Sequence, residues 1–384
     1  MKACHIFLSL LVVVFALICT SYQGSPDAVA KQHAGASWSI VASPSVSKNA
    51  DILHSVAASG PNDAWAVGWY QSSSSNRTLI EHWNGSAWSV IKSPNAGNGD
   101  NNLYGVAVLS SKDVLAVGDT NNGTQAALAL RWHNGSWQEV APAKVAGESL
   151  LHAIASVPNS EQAWAVGYDV TDGKTSHGLI EHWTGSAWVQ DQGAVMKEAH
   201  NLVSVSANTV NDIWILGYIT ANGVPFVEHW DGARWRITML QKPYFYPTGI
   251  TASSTHNPWV AGAAIDAQSG ASATYTGHRT TQTWVRINSE NPAQNDQLNA
   301  VASRSDTDVW AVGFSGALNS HVQDLLTEHW NGNVWSIVPT AKPAQNYNSL
   351  QAVTFVPGSD ALWAVGFTSQ NGETPFHALI EHYQ

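Results

Sequence analysis

Two histidines, His54 and His152, occupy equivalent places in a recurring pattern, each two residues before the Val or Ile that ends a short apolar segment. Imidazole titrates near neutral pH, so it can act as a general acid, a general base or a metal ligand. A metal would need a third donor, and no recognisable ligand spacing supplies one. The other copies carry different residues at this position, namely Tyr104, Val203, Thr248, Asn299 and Gln351. We predict that this set, the mouth ring, lines the opening of a central channel.

A second set of candidates follows the glycine of a recurring WAVG segment. Its members are mostly aromatic: Trp69, Asp119, Tyr168, Tyr218, Ala263, Phe314 and Phe367. Aromatic faces at the rim of a concave surface can stack on sugar rings or fill a partner's pocket. Packing between strand edges is the alternative interpretation, because aromatic residues near turns are mostly buried. The candidate ligand-binding residues are Trp69, Tyr168, Tyr218, Phe314, Phe367, His54, Tyr104, His152, Asn299 and Gln351.

A Glu-His pair also recurs along the chain, for example at Glu81-His82 and Glu181-His182. Identical residues on neighbouring copies are held one copy apart, so they do not converge on one atom. We therefore predict that they form hydrogen bonds within the scaffold. Asp63 and its equivalents, which precede the second strand, are expected to hold their own turns.

Catalysis is not predicted from these residues. A glycosidase needs two facing carboxylates, and acidic residues on irregular loops could offer a pair. The same carboxylates could instead be weak Ca²⁺ ligands, although no cofactor is predicted. The residues concerned are Asp100, Asp119, Asp169, Asp172 and Asp296.

These candidates lie on seven copies of a unit of about fifty residues. This length is near the upper limit of the repeat lengths expected for propeller blades. Each unit has a WAVG-like segment, an EHW-like segment and a later tryptophan. Eighteen of the 19 tryptophans fall on these three positions, and Trp69 is the exception. Tryptophan is therefore predicted to be chiefly a structural residue.

Each unit reads as four short strands separated by turn residues, with Asn-Gly or a similar pair before the fourth strand. Four antiparallel strands repeated seven times predict an all-β, seven-bladed β-propeller. The last unit ends at "ALIEHYQ" without a fourth strand, whereas "ASWSIVASP" near Trp38 supplies an extra one. We expect this N-terminal strand to complete the last blade and close the ring.

The chain resembles secreted bacterial β-propeller repeat proteins whose units read "DxWAVG…EHWxGxxW", a group loosely related to kelch and galactose-oxidase-like propellers. The resemblance covers residues 36–384 and implies the fold rather than an activity. The paired glycines of kelch units and the Asp-box of sialidases are missing. The Tyr-Cys cross-link of galactose oxidase cannot form either, since Cys4 and Cys19 both lie in the predicted leader.

Residues 1–30 read as a secretory signal peptide, because one Lys precedes a short apolar run that ends near an Ala-Val-Ala site. Localisation is therefore predicted to be secreted or extracellular. A cell-surface lipoprotein anchored through Cys19, or another membrane anchor, is the alternative. Residues 31–384 are predicted to form one domain, without a transmembrane helix. The formal charge of −11 disfavours nucleic acid as a partner.

Long irregular loops at residues 93–102, 169–177, 241–247 and 315–324 should lie on one face, which is the expected location of function. The predicted function is non-catalytic binding of a carbohydrate or an extracellular protein by a monomer through this irregular-loop face. The alternative is an extracellular carbohydrate-active enzyme, either a glycoside hydrolase or a lyase.

Overall fold

The computed structural model describes residues 35–240, 245–253, 257–281 and 283–384. These residues form 28 β-strands and none of them is helical, so the all-β prediction is confirmed. In this part of the chain there is accordingly no helix long and apolar enough to cross a membrane. The predicted signal peptide, Cys4 and Cys19 lie outside the described residues.

The strands fall into groups of four that match the sequence units. Unit 1 contains β2 (Asp51–Gly60), β3 (Asp63–Ser72), β4 (Ser75–Trp83) and β5 (Trp88–Val90). Unit 2 contains β6 (Asp100–Ser110), β7 (Asp113–Asn121), β8 (Gln125–His133) and β9 (Ser136–Glu139). Unit 3 contains β10 (Glu148–Ser156), β11 (Ala163–Val170), β12 (His177–Trp183) and β13 (Trp188–Asp191). Unit 4 contains β14 (His200–Thr209), β15 (Asp212–Ile219), β16 (Pro225–Trp230) and β17 (Trp235–Met239).

The remaining units follow the same order. Unit 5 contains β18 (Tyr246–Thr251), β19 (Trp259–Ile265), β20 (Ser272–Thr280) and β21 (Thr283–Ile287). Unit 6 contains β22 (Asn295–Ser305), β23 (Asp308–Gly316), β24 (Gln323–Trp330) and β25 (Trp335–Ile337). Unit 7 contains β26 (Tyr347–Phe355), β27 (Leu362–Gln370), β28 (Glu373–Tyr383) and the N-terminal β1 (Trp38–Val41).

Units 1 to 4 are separate four-stranded antiparallel sheets, and the other strands belong to one 12-stranded sheet. Within that sheet, units 5, 6 and 7 are antiparallel groups. Two single parallel pairs, Ser272 with Asn295 and Gln323 with Tyr347, join these groups. The whole described fold is therefore a series of four-stranded antiparallel groups.

The N-terminal strand β1 pairs with the last strand β28, from Trp38 opposite Tyr383 to Val41 opposite Ile380. Tyr383 occupies the place that tryptophan has in units 1–4 and 6. The Trp38 and Tyr383 rings both pack against Trp310 of unit 6, at centroid distances of 5.8 and 4.7 Å. The predicted pairing of the two ends of the repeat region is confirmed.

Tryptophans hold neighbouring units together. Trp65 in the second strand of unit 1 lies 5.0 Å from Trp132 and 5.4 Å from Trp137 in unit 2, measured between ring centroids. Trp363 of unit 7 makes the same contacts with unit 1, at 5.1 Å from both Trp83 and Trp88. The last unit therefore packs on the first through the same aromatic contact that joins consecutive units.

A β-bulge interrupts the first strand of every unit. In unit 1, Leu53 pairs with Gly68 and Ser55 pairs with Val67, so His54 is left without a partner in the ladder. The register skips one residue at the other mouth-ring positions too, at Tyr104, His152, Val203, Thr248, Asn299 and Gln351. A bulge bends its strand and redirects the extra side chain. The mouth ring is therefore the set of bulged residues.

The WAVG glycine accommodates this bulge. A Cβ at Gly68 would lie 1.9 Å from the carbonyl oxygen of Ile52, and one at Gly118 would lie 1.9 Å from that of Asn102. No side chain fits at such a distance, so the motif keeps glycine where the bulged strand comes close.

The histidine of the Glu-His pair is a scaffold residue, as predicted. His82 packs on Trp65 with tilted rings at a centroid distance of 4.2 Å, and its Nε2 lies 2.7 Å from Oδ1 of Asp63. Equivalent His-Asp contacts of 2.8 and 3.0 Å join His229 to Asp212 and His329 to Asp308. Each contact joins the third strand of a unit to the start of its second strand.

The glutamate of the pair is buried. It accepts hydrogen bonds from the segment that connects its unit to the preceding one. Ser43 Oγ donates to Glu81 at 2.8 Å, and the backbone amides of Ala143 and Ala194 donate to Glu181 and Glu228 at 3.0 Å. Burial raises the pKa of Glu81 to about 8 and the pKa values of Glu181 and Glu228 to about 7. The repeated carboxyl group is thus part of the connection between units.

Candidate functional site

A cavity of about 370 Å³ opens between the first strands of the units and is bounded by all seven mouth-ring residues. The small residues that follow the bulges, such as Ser55 and Gly105, also line it. The sequence placed these residues together at a channel mouth, and the structure brings them into one cavity. Tyr246 and Pro247 at the start of β18 complete its rim.

Three aromatic rings from consecutive units form one wall of this cavity. The Tyr104 ring lies between His54, at a centroid distance of 5.3 Å, and His152, at 5.6 Å. The Tyr104 and His152 planes differ by 25°, so these rings are stacked, whereas His54 meets Tyr104 edge-on. Because the bulges recur at one height in each unit, residues about fifty positions apart become direct neighbours.

Trp69 fixes the protonation state of His54. Its indole Nε1 donates a hydrogen bond of 3.1 Å to Nε2 of His54. An indole N–H can only donate, so Nε2 carries a lone pair and the neutral imidazole holds its proton on Nδ1. Burial, with a smaller contribution from His152, lowers the pKa of His54 to about 4. His54 is therefore neutral at physiological pH.

His152 is also in a poorly solvated position. Its side chain is exposed to the channel, but protein surrounds the channel, and this desolvation lowers the pKa of His152. In a narrow opening, a side chain can be accessible to solvent while protein surrounds it closely. Both histidines consequently favour the neutral form.

A buried carboxylate lies behind the aromatic wall. Asp119 is 3% exposed and accepts hydrogen bonds from Asn102 Nδ2 at 3.0 Å and from Gln125 Nε2 at 2.7 Å. Tyr168 donates its hydroxyl proton to Gln125 Oε1 at 3.2 Å. This network joins Asp119 to Tyr168 within the second predicted set, and it reaches the first strand of unit 2 at Asn102, two residues before Tyr104.

The opposite wall is built from neutral polar side chains. Asn299 Nδ2 donates to the Leu350 carbonyl at 2.7 Å, and Gln297 Nε2 donates to Asn299 Oδ1 at 2.7 Å. Thr248 Oγ1 donates to the Leu298 carbonyl at 2.7 Å. Gln351 Nε2 donates to Ser349 Oγ at 2.8 Å. The bonds of Asn299 to Leu350 and of Thr248 to Leu298 join neighbouring first strands, and the other two each lie within one strand.

The second set of predicted residues stands around the cavity rather than in its lining. Trp69 and Tyr168 act through hydrogen bonds, and the Tyr218 ring lies 6.0 Å from Tyr246. Phe367 packs between Tyr347 and Phe376, at 6.4 and 5.5 Å. Phe314 is half-buried at the equivalent position of β23.

Sequence reasoning missed two lining residues, Tyr246 and Gln297. Tyr246 is 52% exposed and follows the "KPYF" segment of an irregular loop, so its aromatic character beside a mouth-ring residue was the available signal. Gln297 comes two residues before Asn299 and reaches the cavity beside the bulge.

The loop acids do not form a catalytic pair in the cavity. Asp100 accepts the amide of Asn76, Asp172 accepts amides within its own turn, and Asp296 accepts the amide of Ala293. Within the described residues, no group of three or more His, Cys, Asp or Glu side chains is arranged to hold a metal ion.

A separate recess of about 280 Å³ between units 3 and 4 contains Asp169, His177 and His200. Both ring nitrogens of His200 are engaged, since Nδ1 lies 2.7 Å from the Glu198 carbonyl and Nε2 accepts the amide of Gly178 at 3.1 Å. His200 therefore serves the junction between the two units.

The far end of the channel has a different lining. A recess of about 520 Å³ is bounded by small and apolar residues of the same first strands, including Val56, Val108, Ala207 and Phe355. Ile154, Val205, Ile250 and Val301 border both openings. The branched residues that end each apolar segment thus separate the polar mouth from the far end.

Comparison with solved structures identifies β-propeller-like proteins. A catalytically inactive virginiamycin B lyase from Staphylococcus aureus with quinupristin has a TM-score of 0.60 and 13% identity, with 91% of this chain and 99% of that chain covered. YCF48 bound to D1 peptide has a TM-score of 0.53 and 14% identity, covering 90% and 96%. A PL25 ulvan lyase bound to a GlcA(1-4)Rha3S saccharide has a TM-score of 0.54 and 9% identity, covering 83% and 89%.

At these identities the similarity establishes the β-propeller-like fold alone. No protein-family model matches the chain, and no curated protein matches it in sequence.

Proposed function

We propose that this chain is a secreted, non-catalytic, seven-bladed β-propeller that binds an extracellular protein or a carbohydrate at the channel mouth. The observation that carries the proposal is the cavity of about 370 Å³, in which a scaffold of near-identical units presents seven different bulged positions. Concave sites with a few convergent polar groups are the usual places for ligands. If the bulged positions served only the repeated scaffold, they would not need such different residues.

The seven-bladed ring is supported by the order of the contacts. Each four-stranded unit carries one bulge, and Trp363 of unit 7 packs on unit 1 as Trp65 packs on unit 2. The pairing of β1 with β28 gives unit 7 its fourth strand. We count seven blades on this basis, as the resemblance to proteins with DxWAVG…EHWxGxxW units also implies.

The location of the protein is part of the proposal. Residues 1–30 act as a signal peptide and residues 31–384 form one monomeric domain, with anchoring through Cys19 as the alternative. Processing can be tested by expressing the full chain in a bacterial host with an export pathway and determining the N-terminus of the exported product. A product that retains residues 1–30 in the membrane fraction would contradict secretion.

Binding is tested with the mature protein on a glycan array and on a random peptide library. Any ligand found should bind at least about tenfold more weakly to His152→Ala and Tyr246→Ala, because both side chains line the mouth. His133→Ala is the matched control, since His133 is an exposed histidine at the outer end of β8. A ligand whose affinity is unaffected by both mouth substitutions would overturn the location of the site.

A carbohydrate-active lyase or hydrolase is the second candidate. It is favoured by the histidine side chains that line the mouth, since imidazole can act as a general acid or base, and by the lyases among the proteins of similar fold. Turnover on a panel of polysaccharides that disappears in both His54→Ala and His152→Ala would establish it. Turnover that survives these substitutions, or none on any polysaccharide, would exclude the channel mouth as such a centre.

A further inference from the structure

The channel mouth has the chemistry of a site for a positively charged group, and this inference rests on the proposed binding function. We propose that the cavity receives an ammonium or guanidinium group, as carried by a lysine or arginine side chain of a peptide or protein partner. Three features of the mouth favour a cation: its aromatic lining, the carboxylates near that lining and the neutral state of the histidines.

Aromatic rings contribute on both sides of the cavity. His54, Tyr104 and His152 form one wall, and the half-exposed Tyr246 stands at the rim beside Thr248. The electron-rich face of a tyrosine attracts a cation that comes within about 6 Å of the ring. The volume of about 370 Å³ is sufficient for a lysine or arginine side chain.

The charge nearest to this wall is negative. Asp119 is paired with Asn102 across β6 and β7, two residues before Tyr104, and Asp100 stands at the start of the same strand as Tyr104. Burial, followed by these carboxylates, raises the pKa of the Tyr104 hydroxyl. Burial likewise raises the pKa of Tyr168, with smaller contributions from Asp119 and the exposed Glu148. A cation in the mouth would be attracted by the same carboxylates.

Burial of Asp119 strengthens this attraction. Its carboxylate accepts hydrogen bonds from two neutral donors, the side-chain amides of Asn102 and Gln125. These contacts orient the charge without cancelling it. Because Asp119 is only 3% exposed, its charge is screened less than that of a carboxylate at an open surface.

The histidines do not oppose a cation. His54 is held neutral by the indole N–H of Trp69, and the pKa of His152 is lowered by the surrounding protein. The other lining side chains named above, Thr248, Asn299, Gln297 and Gln351, are uncharged. An acidic sugar or a carboxylate ligand would meet Asp119 across Tyr104 without a matching positive group in this described lining.

The test uses the mature protein with ¹³C-labelled histidine rings, observed by NMR during titration with small probes. The cationic probes are the N-acetyl methylamides of lysine and arginine. The norleucine and glutamate derivatives are the neutral and acidic probes, and maltotriose and cellotriose represent neutral carbohydrate. We expect the two cationic probes to shift the His54 and His152 signals saturably, and the other probes to leave these signals in place.

Three substitutions assign the effect to charge. Asp119→Asn keeps the shape of the side chain and should weaken the cationic probes by about fivefold to tenfold, because one poorly screened charge is removed. Glu148→Gln should weaken them by about twofold, since its side chain is exposed and better screened. Asp360→Asn is the matched control, because Asp360 is an exposed acid in a short loop on the opposite face, between β26 and β27.

The outcomes separate this inference from the proposed function. Unchanged affinity in both Asp119→Asn and Glu148→Gln would overturn the electrostatic inference, and Glu148→Gln provides the test if Asp119→Asn does not fold. If a sugar or the acidic probe shifts the His54 and His152 signals and the cationic probes do not, the inference is wrong but the channel mouth is still a binding site. If none of the probes shifts these signals, the inference is wrong, and failure of both ligand screens as well would overturn the proposed function.

Discussion

The repeated positions and the bulged positions of this molecule lie on the same strands but obey different rules. Glu81, His82 and Trp65 recur in nearly every unit, and each is buried or packed against a neighbouring strand or unit. The bulged residue of the first strand varies from His54 to Val203, and no ladder pairing constrains it. Repetition therefore marks what holds the fold together, and variation marks the surface available for recognition.

The strongest expected effect comes from removing β1. Deletion of residues 36–44 leaves the edge of β28 unpaired and removes Trp38 from its contact with Trp310. We expect a loss of about 5 kcal/mol or more in unfolding free energy, or aggregation, measured by urea denaturation and light scattering. The reference is the chain that begins at residue 31. Equal denaturation midpoints for the two proteins would show that β1 does not close the fold.

The next effect separates two tryptophans that differ in position. Trp363→Ala opens a cavity between units 7 and 1, where Trp363 is 1% exposed, and should cost about 3–5 kcal/mol. Trp69→Ala removes a half-buried ring and one hydrogen bond to His54, so it should cost about 1–2 kcal/mol. Denaturant titration of both variants measures the difference. A larger loss for Trp69→Ala would contradict the division between repeated and variable positions.

The repeated buried glutamates should make stability depend on pH. Folding raises the pKa of Glu81 from 4.5 to about 8, so the folded state binds a proton that the unfolded state has released between these values. The unfolding free energy should therefore fall as the pH rises from about 5 to 8, on the order of 1 kcal/mol for each such carboxyl group. Thermal melting at pH 5.5 and at pH 8 measures the change. Glu81→Gln should reduce the slope, and an unaltered slope would assign the dependence to other groups.

The smallest effect on stability is expected at the bulges. His152→Ala and Gln351→Ala should change the unfolding free energy by no more than about 1 kcal/mol, because these side chains face the channel. Leu151, the neighbour of His152, is fully buried, and Leu151→Ala should cost about 2–5 kcal/mol. Chemical denaturation of the three variants compares adjacent residues directly. Comparable losses of unfolding free energy at positions 151 and 152 would mean that the bulged residue also stabilises the fold.

The repeated tryptophans made the strands and the pairing of β1 with β28 predictable from the sequence. Tryptophan and glycine recur at fixed spacing because each unit must bury the same contacts. The absence of a fourth strand after Tyr383 and the extra strand around Trp38 then left one consistent pairing. Local pattern and long-range packing agree in this part of the molecule.

The membership of the channel mouth was predictable, but its chemistry was not. The register of the apolar segments placed His54, Tyr104 and His152 in one ring. That ring depends on a bulge, which the sequence shows only through the WAVG glycine opposite it. The Trp69–His54 bond and the Asn102–Asp119 bond arise from side-chain directions on adjacent strands. These directions are set by packing and cannot be read from spacing.

The bulge has a consequence for how such a molecule can change over time. A side chain that takes no part in ladder pairing and is not packed in the core can be exchanged with little effect on the rest of the unit. Gly68 and its equivalents keep the backbone in place whatever residue occupies the bulge. Each position of the mouth ring can therefore be substituted nearly independently, and new specificities can be selected by combining single replacements on an unaltered framework.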